Sequence, residues 1–252
     1  MIRAIMHGCG GAMGQVITAL AAEDSQIEIV AGIDIRKDLS VPYPVFPSME
    51  ACSVDADVVI DFSTAAAVDG LLEVCKKRRL PLVLCTTGLQ EEQLEAVKNA
   101  GKETAVLRSA NMSLGVNLLM KLVKEAARTL NAAGFDMEIV EKHHRKKIDA
   151  PSGTALALAE SINEAMDHKY HYEYDRASRR EKRSDDEIGI MSVRGGTIVG
   201  EHDVIFAGAD EVVTFTHTAY SKAIFAKGAL EAAKYLAGKP AGSYTMADVI
   251  EA

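Results

Sequence analysis

The sequence predicts an α/β fold in two parts, on three observations. A short apolar strand, RAIMH, runs straight into a glycine turn, GCGGAMG, and then a helix, QVITALAAED. Strand-like and helix-like stretches go on alternating to about residue 113, the pattern of a parallel sheet with crossover helices. Beyond a charge-rich stretch at 167–187, three strand-like runs follow one another with turns between them, as in a meander. We therefore expect a Rossmann-like dinucleotide-binding domain at 1–113, completed by a C-terminal helical segment at 223–252. An α+β domain at 114–222, built on a four-strand sheet, is set between them.

Composition narrows the classes. Of 252 residues, 48% are hydrophobic and 25% charged, with no Trp, so the core must be mostly aliphatic. A formal net charge of −8 argues against nucleic acid as a partner. No apolar run approaches a membrane span, and MIRAIMHGCGG lacks the apolar core of a signal peptide, so no membrane partner is expected. Cys9, Cys52, Cys75 and Cys85 form no C-x-x-C pair, which speaks against zinc and disulfides and for a reducing cytoplasm.

In chain order, the first turn supplies Gly8, Cys9, Gly10, Gly11, Ala12 and Met13 as candidate cofactor contacts. Glycines let the backbone approach a pyrophosphate, and the helix N-terminus faces its charge. IEIVAGI is the second strand and ends at Asp34, about 20 positions on, where a ribose-binding carboxylate belongs. Asp34 favours NADH. Arg36 and Lys37 could offset its charge and admit NADPH, or point to solvent as an ordinary charged turn. Residues 38–50 are a proline-containing connector. DADVVIDFS and PLVLCTTG are strands with small polar ends, where open α/β sheets bind ligands. AAAVDGLLEVCKKRR and EEQLEAVKNAGK are helices, TAVLRS is a strand, and LLMKLVKEAARTLNAAG is a helix leading out of the first domain.

The stretch EIVEKHHRKKIDAPSGT, 138–154, carries the chemistry. A strand delivers His143, His144, Arg145, Lys146 and Lys147 within five residues, and Ser152 then caps a helix, ALALAESINEAM. Two histidines, several cations and a helix N-terminus suit an anionic substrate that must also receive a proton. A solvated basic loop is the plain alternative. Adjacent histidines on a strand point to opposite faces, so no metal site is expected. The segment 167–187 reads as an exposed, mobile loop. SKAIFAKGALEAAKYLAGKP is the closing helix, followed by a short amphipathic tail.

The string E-x-H-H-x-x-K-x-D-A-P-S-G-T-A, Glu141 to Ala155, resembles the signature of the 4-hydroxy-tetrahydrodipicolinate reductase (dihydrodipicolinate reductase) family, and the resemblance runs nearly end to end. It implies reduction of 4-hydroxy-tetrahydrodipicolinate to tetrahydrodipicolinate in diaminopimelate and lysine biosynthesis, with NADH or NADPH. It implies His143 as general acid and Lys147 as second proton donor or stabiliser. His144, Lys147, Ser152, Gly153 and Thr154 would hold the carboxylates of a small dicarboxylate substrate. Cys85, Thr86 and Thr87, the first standing where many relatives have glycine, would lie along the nicotinamide with Ser109, Ala110, Asn111 and Met112. Ile35 stands where members often have arginine, which weakens any NADP preference. A hinge near Ser113 and Lys222 and a homotetramer joined through the second-domain sheets are also implied. Other nicotinamide dehydrogenases, such as aspartate or homoserine dehydrogenase, would share the first domain but would not need H-H-x-x-K before D-A-P-S-G-T. An NAD-sensing protein would lack the proton-transfer cluster.

Overall fold

A computed structural model describes residues 1–36, 38–109 and 111–252. The chain divides into two compact units, Met1–Ser113 with Ala223–Ala252, and Leu114–Lys222.

The first unit opens with β1 (Ile2–His7), α1 (Ala12–Ala22), β2 (Ile27–Ile33), β3 (Val45–Phe46) and β4 (Val58–Asp61). α2 (Ala65–Arg78), β5 (Leu82–Leu84), α3 (Glu91–Ala100) and β6 (Ala105–Arg108) follow. The second unit holds α4 (Leu114–Asn131), β7 (Asp136–His143), α5 (Gly153–Ala165), β8 (His171–Glu173), β9 (Glu187–Arg194), β10 (Gly200–Ala207) and β11 (Val212–Ala219). The chain returns to the first unit with α6 (Ala223–Leu236), β12 (Gly242–Tyr244) and α7 (Met246–Glu251).

The first sheet is all parallel, in the order β12-β6-β5-β4-β1-β2-β3. Its central strands bury both faces, and so VVID and LVL read as unbroken runs rather than alternating ones. The strand order reverses between β1 and β4. That is the switch point outside whose carboxyl ends open α/β sheets form their ligand crevice. Two short strands, β3 and β12, were not foreseen. Each has two or three residues, too few to show a period.

The second sheet corrects the expected four-strand meander in two ways. It has five strands, β11-β10-β7-β9-β8, and β9 and β10 are not neighbours, because β7 lies between them. β7 runs antiparallel to β10 and parallel to β9. The fifth strand, β8, comes from the segment read as an exposed, mobile loop. That segment lacks an apolar period because its order is ionic. Arg183 bonds Asp136 and Glu138 at 2.9 and 3.0 Å, and Arg176 pairs with Glu138 and Glu187.

β7 shows why this sheet can present a site. Met137, Ile139, Glu141 and His143 alternate onto its buried face, while Asp136, Glu138, Val140 and Lys142 face the other way. Met137 and Ile139 join Val204, Phe206, Ile188 and Ile190 in the core under α4 and α5. Burying one such side chain contributes roughly 1.5–3 kcal/mol. Glu141 and His143 continue the same face beyond that apolar floor.

Candidate active site

At the end of β1 the chain must turn sharply. Gly8 adopts φ 82°, and a Cβ there would stand 2.5 Å from the Phe62 carbonyl oxygen, so only glycine fits. Gly11 is the N-cap of α1 and brings no side-chain cap, and the first turn of α1, with Ala12 and Met13, holds no acidic residue. Its N-terminal N–H groups and dipole are thereby left to an anion. Asp34, just beyond β2, is fixed from both oxygens. The Gly10 N–H donates to Oδ2 at 2.8 Å, and the Arg36 N–H and Nε donate to Oδ1 at 3.0 and 3.3 Å. Burial opposes its ionisation, but these donors prevail and hold the carboxyl below its ordinary range. A cavity of about 540 Å³ opens here, lined among others by Gly8, Gly11, Asp34, Arg36 and Ser63.

These features fit a dinucleotide: a glycine turn where no side chain is tolerated, an uncapped helix start, and an ionised carboxylate at the end of β2. Arg36 lies against Asp34, while Ile35 is exposed. Lys37, the second cation expected here, lies outside the described residues, as does Ala110. Cys9 is buried beneath the turn. Thr86 donates to the wholly buried Asp61 at 2.6 Å, and His7 Nδ1 binds the other Asp61 oxygen at 2.6 Å. Cys85 is half-buried and donates its N–H to the Asp61 carbonyl at 2.9 Å, while Thr87 is exposed. Ser109 is half-buried, Asn111 accepts from the Ser113 N–H at 2.8 Å, and Met112 is buried. Phe62, Ser63 and Thr64 also line the cavity and were not among the expected contacts. The signal for them was present, since they follow β4 at the switch point.

In the second unit the register assembles one row across the sheet. His217 faces His202, His202 faces Glu141, and Glu141 faces Ser192. Residues opposite one another share a face, so all four side chains meet over the same floor. Glu141 is 0% exposed and takes five hydrogen bonds. Arg194 Nη1 and Nη2 donate at 2.7 and 2.6 Å, Ser192 Oγ at 2.7 Å, the Ser152 N–H at 3.1 Å, and His143 Nδ1 at 2.6 Å. Burial alone would raise this carboxyl, but the donors, Arg194 first, bring it down to about 2. Glu141 is thus an anion, and His143 must carry its proton on Nδ1 to donate to it.

His143 is buried, and its Nε2 lies over Gly200, where a Cβ would stand 3.0 Å away. His144 begins the turn after β7 and has a buried Nδ1 without a partner among the described residues. Lys147 reaches Asp149 at 2.9 Å, and its N–H donates to the His144 carbonyl. Ser152 caps α5 by accepting the Ala155 N–H at 3.1 Å. An added Cβ at Gly153 would meet nothing within 4 Å, so the start of α5, with Thr154 in its first turn, borders open space. The density of cations in 142–147 is relieved by pairing: Lys142 bonds Glu201 and Asp203, and Lys147 bonds Asp149. Arg194, Ser192, His202 and His217 were not singled out from the sequence, because only strand register brings them here. Among the described residues no group of three or more His, Cys, Asp or Glu is arranged to hold a metal ion. No helix there is long and apolar enough to cross a membrane.

A family model described as dihydrodipicolinate reductase, N-terminus, matches residues 2–112, and its companion for the C-terminus matches residues 115–250. The chain belongs to the dihydrodipicolinate reductase family. A 4-hydroxy-tetrahydrodipicolinate reductase of Caldanaerobacter subterraneus subsp. tengcongensis is 52% identical over 251 residues, covering 100% of this chain and 99% of that protein. The protein of the same name from Staphylococcus epidermidis is 47% identical over 235 residues, covering 93% and 95%. Among solved structures, a dipicolinate-bound dihydrodipicolinate reductase from Paenisporosarcina sp. TG-14 superposes with a TM-score of 0.82 at 26% identity, over 97% of both chains. The chain is therefore an oxidoreductase of the dihydrodipicolinate reductase family, with a parallel Rossmann-like sheet and a second, mixed sheet.

Proposed function

We propose that this chain reduces 4-hydroxy-tetrahydrodipicolinate to tetrahydrodipicolinate, with NADH used at least as well as NADPH. The observation that carries the reading is the Glu141–His143 pair beside the Ser152-capped start of α5. It sets a proton donor next to donors suited to a carboxylate.

In this reading the first unit binds the cofactor, with Gly8 to Met13 at the pyrophosphate and Asp34 at the adenosine ribose. Cys85, Thr86, Thr87, Ser109, Asn111 and Met112 lie toward the nicotinamide, which when bound supplies the hydride. The second unit binds the substrate. His144, Lys147, Ser152, Gly153 and Thr154 hold its two carboxylates, and the Paenisporosarcina relative's dipicolinate, a planar dicarboxylate, supports that class. His143, with Nδ1 committed to Glu141, has Nε2 left to give a proton to the substrate as charge develops there. Glu141 steadies the imidazolium before that transfer. Lys147 adds positive charge near the reacting ring. The four cysteines are free thiols, in keeping with a reducing cytoplasm.

The direct test is an assay with enzymatically generated substrate, following NADH and NADPH oxidation separately. Activity with neither cofactor would end the reading. On cofactor choice, Asp34 is an ionised carboxylate, which repels a 2′-phosphate, but Arg36 is already folded onto it and 55% exposed. It can turn to pair with a phosphate. We expect dual use, with kcat/KM for NADH equal or ahead. Arg36→Ala should lower the NADPH value more than the NADH value, and Asp34→Ala the reverse. A parent preferring NADPH by more than about tenfold, roughly 1.4 kcal/mol, would show that the ribose contact is misplaced.

We also propose a homotetramer. β11 ends the second sheet, paired only to β10 among the described strands, and Val212 on it is exposed. Proteins normally cover such an edge. Light scattering at micromolar concentration should give four times 27.0 kDa, and a monomer would refute the assembly.

A further inference from the structure

Ser152 Oγ stands between two nitrogens. The Ala155 N–H donates to it at 3.1 Å, and His202 Nε2 lies 3.0 Å away. A hydroxyl has one proton to give and two lone pairs to accept with. If Ser152 gave its proton to His202, the imidazole proton would sit on Nδ1. That atom is buried with no partner among the described residues. A buried N–H with no acceptor is a rarer and costlier vacancy than a bare ring lone pair. The network therefore places the imidazole proton on Nε2, donated to Ser152. Both Ser152 lone pairs are then filled, one by the helix cap and one by His202, and the hydroxyl proton is left for a third partner.

We infer that His202 is a positioning residue for substrate binding: by donating from Nε2 it fixes Ser152 as a hydrogen-bond donor to a substrate carboxylate. This rests on the reading of Ser152 as a substrate contact. Two surroundings of His202 favour it. The ring is 4% exposed, and burial first, then His143, pushes its pKa down to about 4; Glu141 opposes, while His217 and Lys147 act in the same direction. It is thus neutral at pH 7 and has one N–H to place. It also stands edge-on to His143, with centroids 5.2 Å apart, so a neutral ring there leaves the neighbouring imidazole able to carry charge. His217, across the row with centroids 6.5 Å from His202, is itself pushed down by burial.

The test combines a spectrum with inhibition by dipicolinate. In enzyme labelled with ¹⁵N-histidine, two-bond nitrogen–proton spectra should show His202 as the Nε2–H tautomer, unchanged between pH 6 and 8, assigned by its loss in His202→Phe. An Nδ1–H tautomer would overturn the inference. His202→Phe should weaken dipicolinate inhibition and raise substrate KM by about tenfold, with kcat within about threefold of the parent and NADH affinity unchanged. His202→Gln, whose amide still donates, should recover most of the loss. Ser152→Ala should lose as much as His202→Phe, and the double variant no more. If Lys147→Ala and Ser152→Ala weaken dipicolinate and His202→Phe does not, the inference falls while the substrate site stands. If none of the three matters, the substrate-site reading fails and takes the inference with it. Should His202→Phe not fold, the Gln variant and the tautomer in the parent decide.

Discussion

His143→Ala should cut turnover about 100-fold or more while NADH binding stays at the parent value. Loss of a positioned general acid costs about 10²–10⁴ in rate. The side chain lies in the second unit, whereas Gly8 to Met13 and Asp34, the proposed cofactor contacts, belong to the first, and so the change removes none of them. Removing the ring also leaves Glu141 with four of its five donors, which keeps its charge compensated. Fold and stability should therefore survive, and the defect should appear in kcat. Steady-state kinetics beside a fluorescence titration with NADH would check this. Turnover within a few-fold of the parent would mean that another group delivers the proton.

Glu141→Gln should do more, because it strikes stability and turnover together. Arg194 would lose its bidentate carboxylate while its Nε remains buried without a partner among the described residues. Breaking one side of a buried pair costs about 3–5 kcal/mol. His143 would lose the anion that fixes its Nδ1 proton, so kcat should fall as well. The pH dependence is specific. The carboxyl is held at about 2, against an ordinary 4.5. A depressed carboxyl stabilises the fold above its unfolded value, and the gain is lost as pH falls from about 4.5 toward about 2. The full contribution is about 3 kcal/mol, and about 2 of it should be gone by pH 3. Urea unfolding of parent and Glu141→Gln at fixed protein concentration should thus show a gap that is constant from pH 8 to 6 and narrows below about 4.5. A gap unchanged down to pH 3 would mean that Glu141 is not the anion the hydrogen bonds describe.

Much of the fold could be read from the sequence where the signal is local. Strand, glycine turn and helix stand next to one another in RAIMH-GCGGAMG-QVITALAAED, and the nucleotide sheet follows from that start. What escaped depends on partners far away in the chain. Nothing within IGIMSVR or TIVGEHDVIFAG says that β7 will lie between them, and nothing in HYE marks a strand until β9 pairs with it. The site divides the same way. His143, His144, Lys147 and Ser152 to Thr154 stand in one string and could be picked out together. Glu141 stands in that string too, but its role depends on donors from Ser192 and Arg194, 51 and 53 residues on. His202 is 50 residues from Ser152 and carries no mark of its own in GEHDV.

The two oxygens of Glu141 tie the His143 ring to the first residue of the α5 cap, since one accepts from His143 Nδ1 and the other from the Ser152 N–H. On the proposed reading, recognition and proton delivery thereby share a single anchor. Laboratory evolution toward a larger or differently spaced acid would have to shift the α5 start, and any such shift pulls on the carboxylate that orients the imidazole. Relaxed specificity should come at the expense of turnover along this route.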